Sequence, residues 1–170
     1  MTRRRAPKLA GVPEPGPLRQ PLPQDEFEAI FSRVPRLTVE VVIATAERGV
    51  LLSLRDIPPC QGLWHLPGGT VRFGEPATDA VARVAKDELG LEVRPTALLG
   101  YIEYPSHYDH GLDSPVGLAF RTEVLRGLPA DGSPPEGCAW FRELPAKIHD
   151  EQRNFLCAHL GFLSRSGTGA

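Results

Sequence analysis

The sequence predicts an α/β fold, with helices flanking a mixed β-sheet. Three observations predict it. Runs rich in β-branched residues alternate with runs of helical periodicity, the order expected when helices cover a sheet. Glycine and proline clusters punctuate the boundaries, at Arg48-Gly49, Pro58-Pro59 and residues 127–137. A chain of 170 residues, 41% of them hydrophobic, is long enough for one domain with a substantial core.

Each element has a local reason. Residues 1–23 carry Pro7, Pro13, Pro15, Pro17, Pro21 and Pro23 with Arg3, Arg4, Arg5 and Lys8, and few large apolar side chains. Such a segment buries too little surface to order itself and is expected to be a disordered basic tail. The domain is expected over 24–164, with 165–170 as a frayed end. Asp25 to Arg33 reads as a short helix with Phe27, Ile30 and Phe31 on one side. Leu37 to Glu47 is β-branched, and Arg48-Gly49 turns it into Val50 to Arg55, which predicts a hairpin. Pro58-Pro59 force a loop, and Gly62 to Leu66 forms a short strand before a glycine turn. Pro76 suits the first turn of a helix that runs to Leu89, where Gly90 supplies the stop. Leu91 to Tyr104 and Val116 to Leu125 read as strands, Ala139 to Arg142 as a short strand, and Asp150 to Phe162 as a final helix.

Composition narrows the function. A formal charge of −2 argues against a surface for bulk nucleic acid, while a nucleotide-sized ligand fits. Cys60, Cys138 and Cys157 make neither a CxxC motif nor a disulfide framework, so reduced thiols in a cytoplasmic protein are expected. No apolar run approaches the length of a membrane span, and no apolar stretch of a signal peptide follows the N-terminal arginines.

Residues 67–91, PGGTVRFGEPATDAVARVAKDELGL, carry the chemistry. A glycine turn leads into a helix on which Asp87 and Glu88 are adjacent, with position 84 one turn before Glu88, so 84, 87 and 88 are expected to share a face. Hard cations such as Mg²⁺ take carboxylate oxygens together with substrate phosphates, and a glycine lets a backbone carbonyl approach the same ion.

This stretch resembles the signature of the Nudix hydrolases. That signature reads Gly, five residues, Glu, seven residues, Arg-Glu, an aliphatic residue, any residue, Glu-Glu, any residue, Gly, aliphatic. Gly69, Glu75, Arg83, Glu88, Gly90 and Leu91 match, and Asp87 is a conservative variant. Val84 departs, standing where the signature has the glutamate after arginine. The resemblance implies a Nudix-type α/β/α sandwich and a Mg²⁺ cofactor, with Mn²⁺ as a substitute. It implies metal binding at Gly69, Asp87 and Glu88, with Arg83 orienting the carboxylates; Glu75 opens the helix, where the backbone dipole favours a carboxylate whatever its function, and is a candidate catalytic residue. Within the family the chain looks most like the GDP-mannose mannosyl hydrolase branch, which also lacks the glutamate at 84 and ends its box much as Arg83 to Leu91 does, RVAKDELGL. CQGLWHLPGG, Cys60 to Gly69, carries that branch's Gly-x-Trp-x-x-Pro-Gly-Gly. Carried over position by position, Glu40 contacts base or sugar, Arg55 the diphosphate, and His107 the leaving group or its metal.

Valine accepts no proton, so a general base must lie off the helix. The branch has a histidine before a tryptophan where this chain has SPPEGCAWF, Ser133 to Phe141; Glu136 is the titratable side chain there. His107, Asp109 and His110 in SHYDHG are rival bases. Tyr101, Tyr104 and Tyr108 offer either core packing or a stacking face for a base. The expected function is Mg²⁺-dependent cleavage of a small-molecule nucleoside diphosphate linked to another moiety, such as a nucleotide sugar, in a protein compatible with a homodimer. The alternative is a binding module that has lost catalysis and holds a nucleotide or a protein.

Overall fold

A computed structural model describes residues 22–56, 60–109 and 113–162. The expectations for Pro58-Pro59, for His110, and for almost all of both tails lie outside these residues. The elements are α1 (Gln24–Phe31), β1 (Arg36–Val42), β2 (Ala44–Thr45), β3 (Gly49–Leu54), β4 (Trp64–His65), β5 (Gly68–Thr70), α2 (Ala77–Leu89), β6 (Glu92–Glu103), α3 (Pro105–Asp109), β7 (Pro115–Arg126), β8 (Cys138–Phe141) and α4 (Asp150–Leu160). This is the expected α/β class, with one refinement. There are two sheets: β5-β1-β7-β6, in which β1 and β7 run parallel and the other pairs antiparallel, and an antiparallel sheet of β2-β3-β4 in which β8 also pairs with β3.

The hairpin expected from Leu37 to Arg55 is split between the sheets. The chain leaves the first sheet after Val42, and Ile43 bridges: its carbonyl accepts the Leu51 N–H at 2.9 Å. Hydrophobic patterning cannot see this break, because both halves are apolar and β-branched. β5 and α3 were not expected. Gly68–Thr70 has little strand propensity, and it becomes a strand through its pairing with Thr38, Val39 and Glu40.

Alternation along β1 sorts the core into two layers. Val39 and Val41 face α2, together with Ala80, Val81, Val84, Ala85 and Leu89. Val42 faces the other way, onto Leu66, Ile102, Phe155 and Leu156 on the α4 side. Each fully buried aliphatic side chain contributes about 1.5–3 kcal/mol relative to exposure. The even-numbered face of β1 therefore places Thr38 and Glu40 on the α4 side, both buried. Helix α2 starts after Pro76 and ends at Gly90, whose φ of 67° is the left-handed stop that the sequence predicts. Among the described residues no helix is long and apolar enough to cross a membrane.

Candidate active site

A cavity of about 470 Å³ opens where the carboxyl end of α2, the β1–β5 edge, β3 and α4 converge. Glu40, Arg55, Gly69, Glu88, Tyr104, His107 and Glu136, seven of the residues expected from sequence, line it. The structure thus brings together segments up to 96 positions apart.

Glu88 projects from the last turn of α2. Its carboxylate opens on the cavity, yet the walls crowd it, and that desolvation, joined by the charge of Asp87, pushes its pKa up to about 7 against the Gly68 N–H that it accepts and the nearby Arg55. Gly69 lies beside it; a Cβ there would sit 3.0 Å from Cγ2 of Val84, so only glycine fits without a shift. Carboxylate oxygen with half-buried strand backbone is a hard donor set, and a carboxylate that crowding makes costly to ionise suits a divalent cation such as Mg²⁺, which favours its ionised form.

The carboxylate face expected over 84, 87 and 88 is divided. Val84 is 2% exposed and belongs to the core beneath Gly69. The Asp87 side chain is 59% exposed, lies 4.0 Å from Arg83, and is not on the cavity wall. Neighbours on a helix diverge by about 100°, so when Glu88 faces the cavity Asp87 turns away. Arg83 and Glu75 also stand outside the cavity wall. Arg83 Nε donates to Glu75 Oε1 at 2.7 Å, and its terminal nitrogen to Glu75 Oε2 at 2.9 Å and the Thr70 carbonyl at 3.0 Å. The Arg83 hydrogen bonds hold the Glu75 carboxyl below the ordinary carboxylate range. The pair clamps α2 to the end of β5, so these two residues position the site and do not line it.

Glu40 sits at the base of the cavity, where a Cβ on Gly68 would fall 2.3 Å from Oε2 and one on Gly117 would fall 2.6 Å from Oε1. Two glycines on adjacent strands make its room. Tyr104 donates its hydroxyl to Oε1 at 2.8 Å, Gln152 donates to the Tyr104 oxygen at 2.9 Å and to Oε2 at 3.4 Å, and the Leu66 N–H donates to Gln152 Oε1 at 2.6 Å. Tyr104 is 5% exposed and packs edge-on against His149, so it holds Glu40 and offers no open stacking face. Tyr101 and Tyr108 are exposed but off the cavity wall.

Burial pushes the Glu40 pKa up from 4.5 to about 8, in spite of the Tyr104 and Thr38 hydroxyls, with the charge of Glu88 adding to the rise. The folded state therefore favours the neutral carboxyl. Its stabilising effect is full below the unfolded value of 4.5 and is withdrawn as pH rises through about 8. We expect the melting temperature of metal-free protein to fall more between about pH 5 and pH 9 than that of Glu40→Gln. Equal slopes for the two proteins would show that Glu40 ionises without penalty.

Sequence reasoning missed Arg36, Cys60, His65, His149 and Gln152, which also line the cavity. They are scattered singly along the chain and share no spacing that could have signalled them. Arg36 forms a short ion pair with Asp113 and donates to Thr70 Oγ1 at 2.9 Å. His107 Nδ1 meets the other oxygen of Asp113 at 2.9 Å. Asp109 is exposed and off the wall. Glu136 stands at the rim, on the segment that leads into β8, where the Gly137 carbonyl accepts the Leu54 N–H at 2.9 Å. Burial pushes the nearby Cys138 thiol up, with the charge of Glu88 across the same cavity adding to the effect.

Residues 34–158 match the model of the NUDIX domain family. The low-salt glycan biosynthesis protein Agl8 of Haloferax volcanii is 45% identical over 105 residues, 61% of this chain and 67% of that protein. The ADP-ribose pyrophosphatase of Methanocaldococcus jannaschii is 29% identical over 121 residues, 70% of each chain. Among solved structures, the MutT NUDIX hydrolase from Burkholderia pseudomallei has a TM-score of 0.58 at 28% identity, covering 72% of this chain and 96% of that one.

Proposed function

The chain belongs to the NUDIX domain family of hydrolases, and from that premise we propose that it cleaves a nucleoside diphosphate linked to a sugar, with Mg²⁺ or Mn²⁺ as its working cation. One observation carries the reading: a single cavity holds Glu88 and the Gly69 backbone beside the guanidinium-bearing Arg55. A diphosphate needs its charge met from both sides, and this cavity supplies a cation-binding edge and a cationic wall. When bound at Gly69 and Glu88, Mg²⁺ would neutralise phosphate charge as the leaving group departs.

The remaining roles fall to this chain's own side chains. Arg55 holds phosphate oxygens, a task for which a guanidinium presents paired donors. Glu40, neutral and pinned by Tyr104, lies at the base of the cavity and recognises hydroxyl or amide groups of base or sugar. Arg83 and Glu75 keep the end of α2 in register with β5. Glu136 takes the proton from the attacking water, since Val84 is buried and carries no titratable group. The sugar-linked class is supported by two relatives: one named for glycan biosynthesis, the other for ADP-ribose, itself a nucleoside diphosphate joined to a sugar.

Incubation with a panel of sugar-linked nucleoside diphosphates and Mg²⁺ in ¹⁸O-water, with products resolved by mass spectrometry, tests this. Label in a phosphate marks attack at phosphorus; label in the free sugar marks attack at carbon. Val84 favours the alternative of a nucleotide-binding module, which predicts saturable nucleotide binding with no product from any member of the panel.

A further inference from the structure

At the end of the cavity beside α3 and α4, three side chains from distant parts of the chain converge. The ligating atoms of Cys60, His107 and His149 lie within 4.8 Å of one another, and Cys60 Sγ is 3.7 Å from His149 Nε2. A tetrahedral zinc centre, with bonds of about 2.3 Å to sulfur and about 2.0–2.1 Å to nitrogen, needs ligand atoms about 3.4–3.6 Å apart. The sulfur–nitrogen distance is already near that value, and the widest pair must close by at most about 1.2–1.4 Å.

The far side of each imidazole faces a carboxylate. His107 Nδ1 is 2.9 Å from Asp113 Oδ1, and His149 Nδ1 is 2.8 Å from Glu151 Oε2, off the line of an ideal hydrogen bond. An ionised carboxylate only accepts, so at His107 the hydrogen bond selects the tautomer with the proton on Nδ1 and a lone pair on Nε2, and at His149 the close carboxylate charge favours the same form. A carboxylate behind a ligating histidine is the usual outer support of a metal centre. Both carboxylates are themselves anchored, Asp113 by Arg36 and Glu151 by the Ser106 N–H at 3.0 Å. Cys60 is the one non-glycine among the described residues in the left-handed region, with φ of 65°. Strain of that kind persists where the surroundings hold a residue to a task.

The geometry points to a second metal site: Cys60, His107 and His149 bind a borderline-soft transition metal, Zn²⁺ foremost, with the fourth position open to the cavity. A thiolate and two imidazoles suit Zn²⁺ over Mg²⁺, which prefers oxygen, so the two ends of one cavity select different ions. Binding would release the Cys60 thiol proton and tie the 60–63 turn to α3 and α4. An open fourth position lets water or a substrate oxygen reach the ion.

The test uses the full-length chain without a polyhistidine tag, stripped of metal and titrated with Co²⁺ and then Zn²⁺. We expect a thiolate-to-cobalt charge-transfer band that saturates at one Co²⁺ per chain and that Zn²⁺ abolishes. Cys60→Ser should lose the band, whereas Glu88→Gln should keep it. Zinc X-ray absorption on the unmodified protein, which needs no variant to fold, should show one sulfur and two imidazole nitrogens. A first shell without sulfur, or a charge-transfer band that survives in folded Cys60→Ser, overturns the proposal. Neither readout depends on hydrolysis, so this site and the proposed activity stand or fall separately.

Discussion

Glu88→Gln is expected to remove most Mg²⁺-dependent turnover while leaving the fold intact. The loss should exceed the roughly 10–100-fold that follows removal of a group merely supporting a metal ligand. The fold should survive because the amide oxygen of glutamine can still accept the Gly68 N–H. The pH dependence of stability separates a ligand from a structural carboxylate. Crowding by the cavity walls raises Glu88 from 4.5 to about 7 although the side chain keeps an exposed edge, so its small contribution to stability is full below 4.5 and is lost as pH rises through about 7. Glutamine has no such penalty. At pH 8 without metal, the variant should therefore melt no lower than the parent. Parent-like turnover at limiting Mg²⁺ would remove Glu88 from the metal site.

Glu136→Gln should lower turnover by about 10²–10⁴-fold, the usual share of general-base catalysis, with little change in the Mg²⁺ concentration needed for half-maximal rate. Glu136 lines the same cavity from the segment before β8, and not from the helix that would hold the cation. Separating the two parameters matters: a falling rate with constant metal demand marks a proton acceptor, and a rising metal demand marks a ligand. Val84→Glu is the companion experiment. Val84 is packed among Ala80, Val81 and Ala85, so a carboxylate there enters the core and should cost stability. A rise in turnover by orders of magnitude in that variant would instead mark the parent as an enzyme lacking its base, and would remove Glu136 from the role.

What could be read from sequence divides by the range of the interaction that defines it. Helix α2, its start after Pro76 and its stop at Gly90 follow from cues within a few residues, and the glycine–carboxylate spacing marks the cavity edge. The division of β1 from β2 depends on which sheet each half joins, and β5 exists through pairing with β1; neither is a local property. Within the site, Glu40, Arg55, Gly69, Glu88, His107 and Glu136 were legible and do share a cavity. The facing of Asp87 was misjudged because adjacency in sequence is divergence on a helix. Gln152 was invisible because α4 carries no motif; it matters only where its amide meets Tyr104 and Glu40. Of the two readings open for Tyr104, core packing is the one its ring takes, and its hydroxyl, which periodicity says nothing about, reaches Glu40.

The seat of Glu40 constrains how this chain can evolve. A methyl at residue 68 or 117 would collide with a carboxylate that Tyr104 keeps from swinging aside. The three positions, on three neighbouring strands, therefore form a ratchet with a preferred order of steps. Shortening residue 40 opens space that an alanine at 117 can then fill once the Thr38 hydroxyl gives slightly, whereas the same alanine arriving first meets an occupied seat. At 68 the Val39 carbonyl, 3.0 Å from an added Cβ, still crowds the newcomer. Once filled, that space bars glutamate from returning. A lineage that exchanges Glu40 for a smaller side chain and then fills the gap has crossed a one-way gate, and its ligand preference at the base of the cavity changes with it.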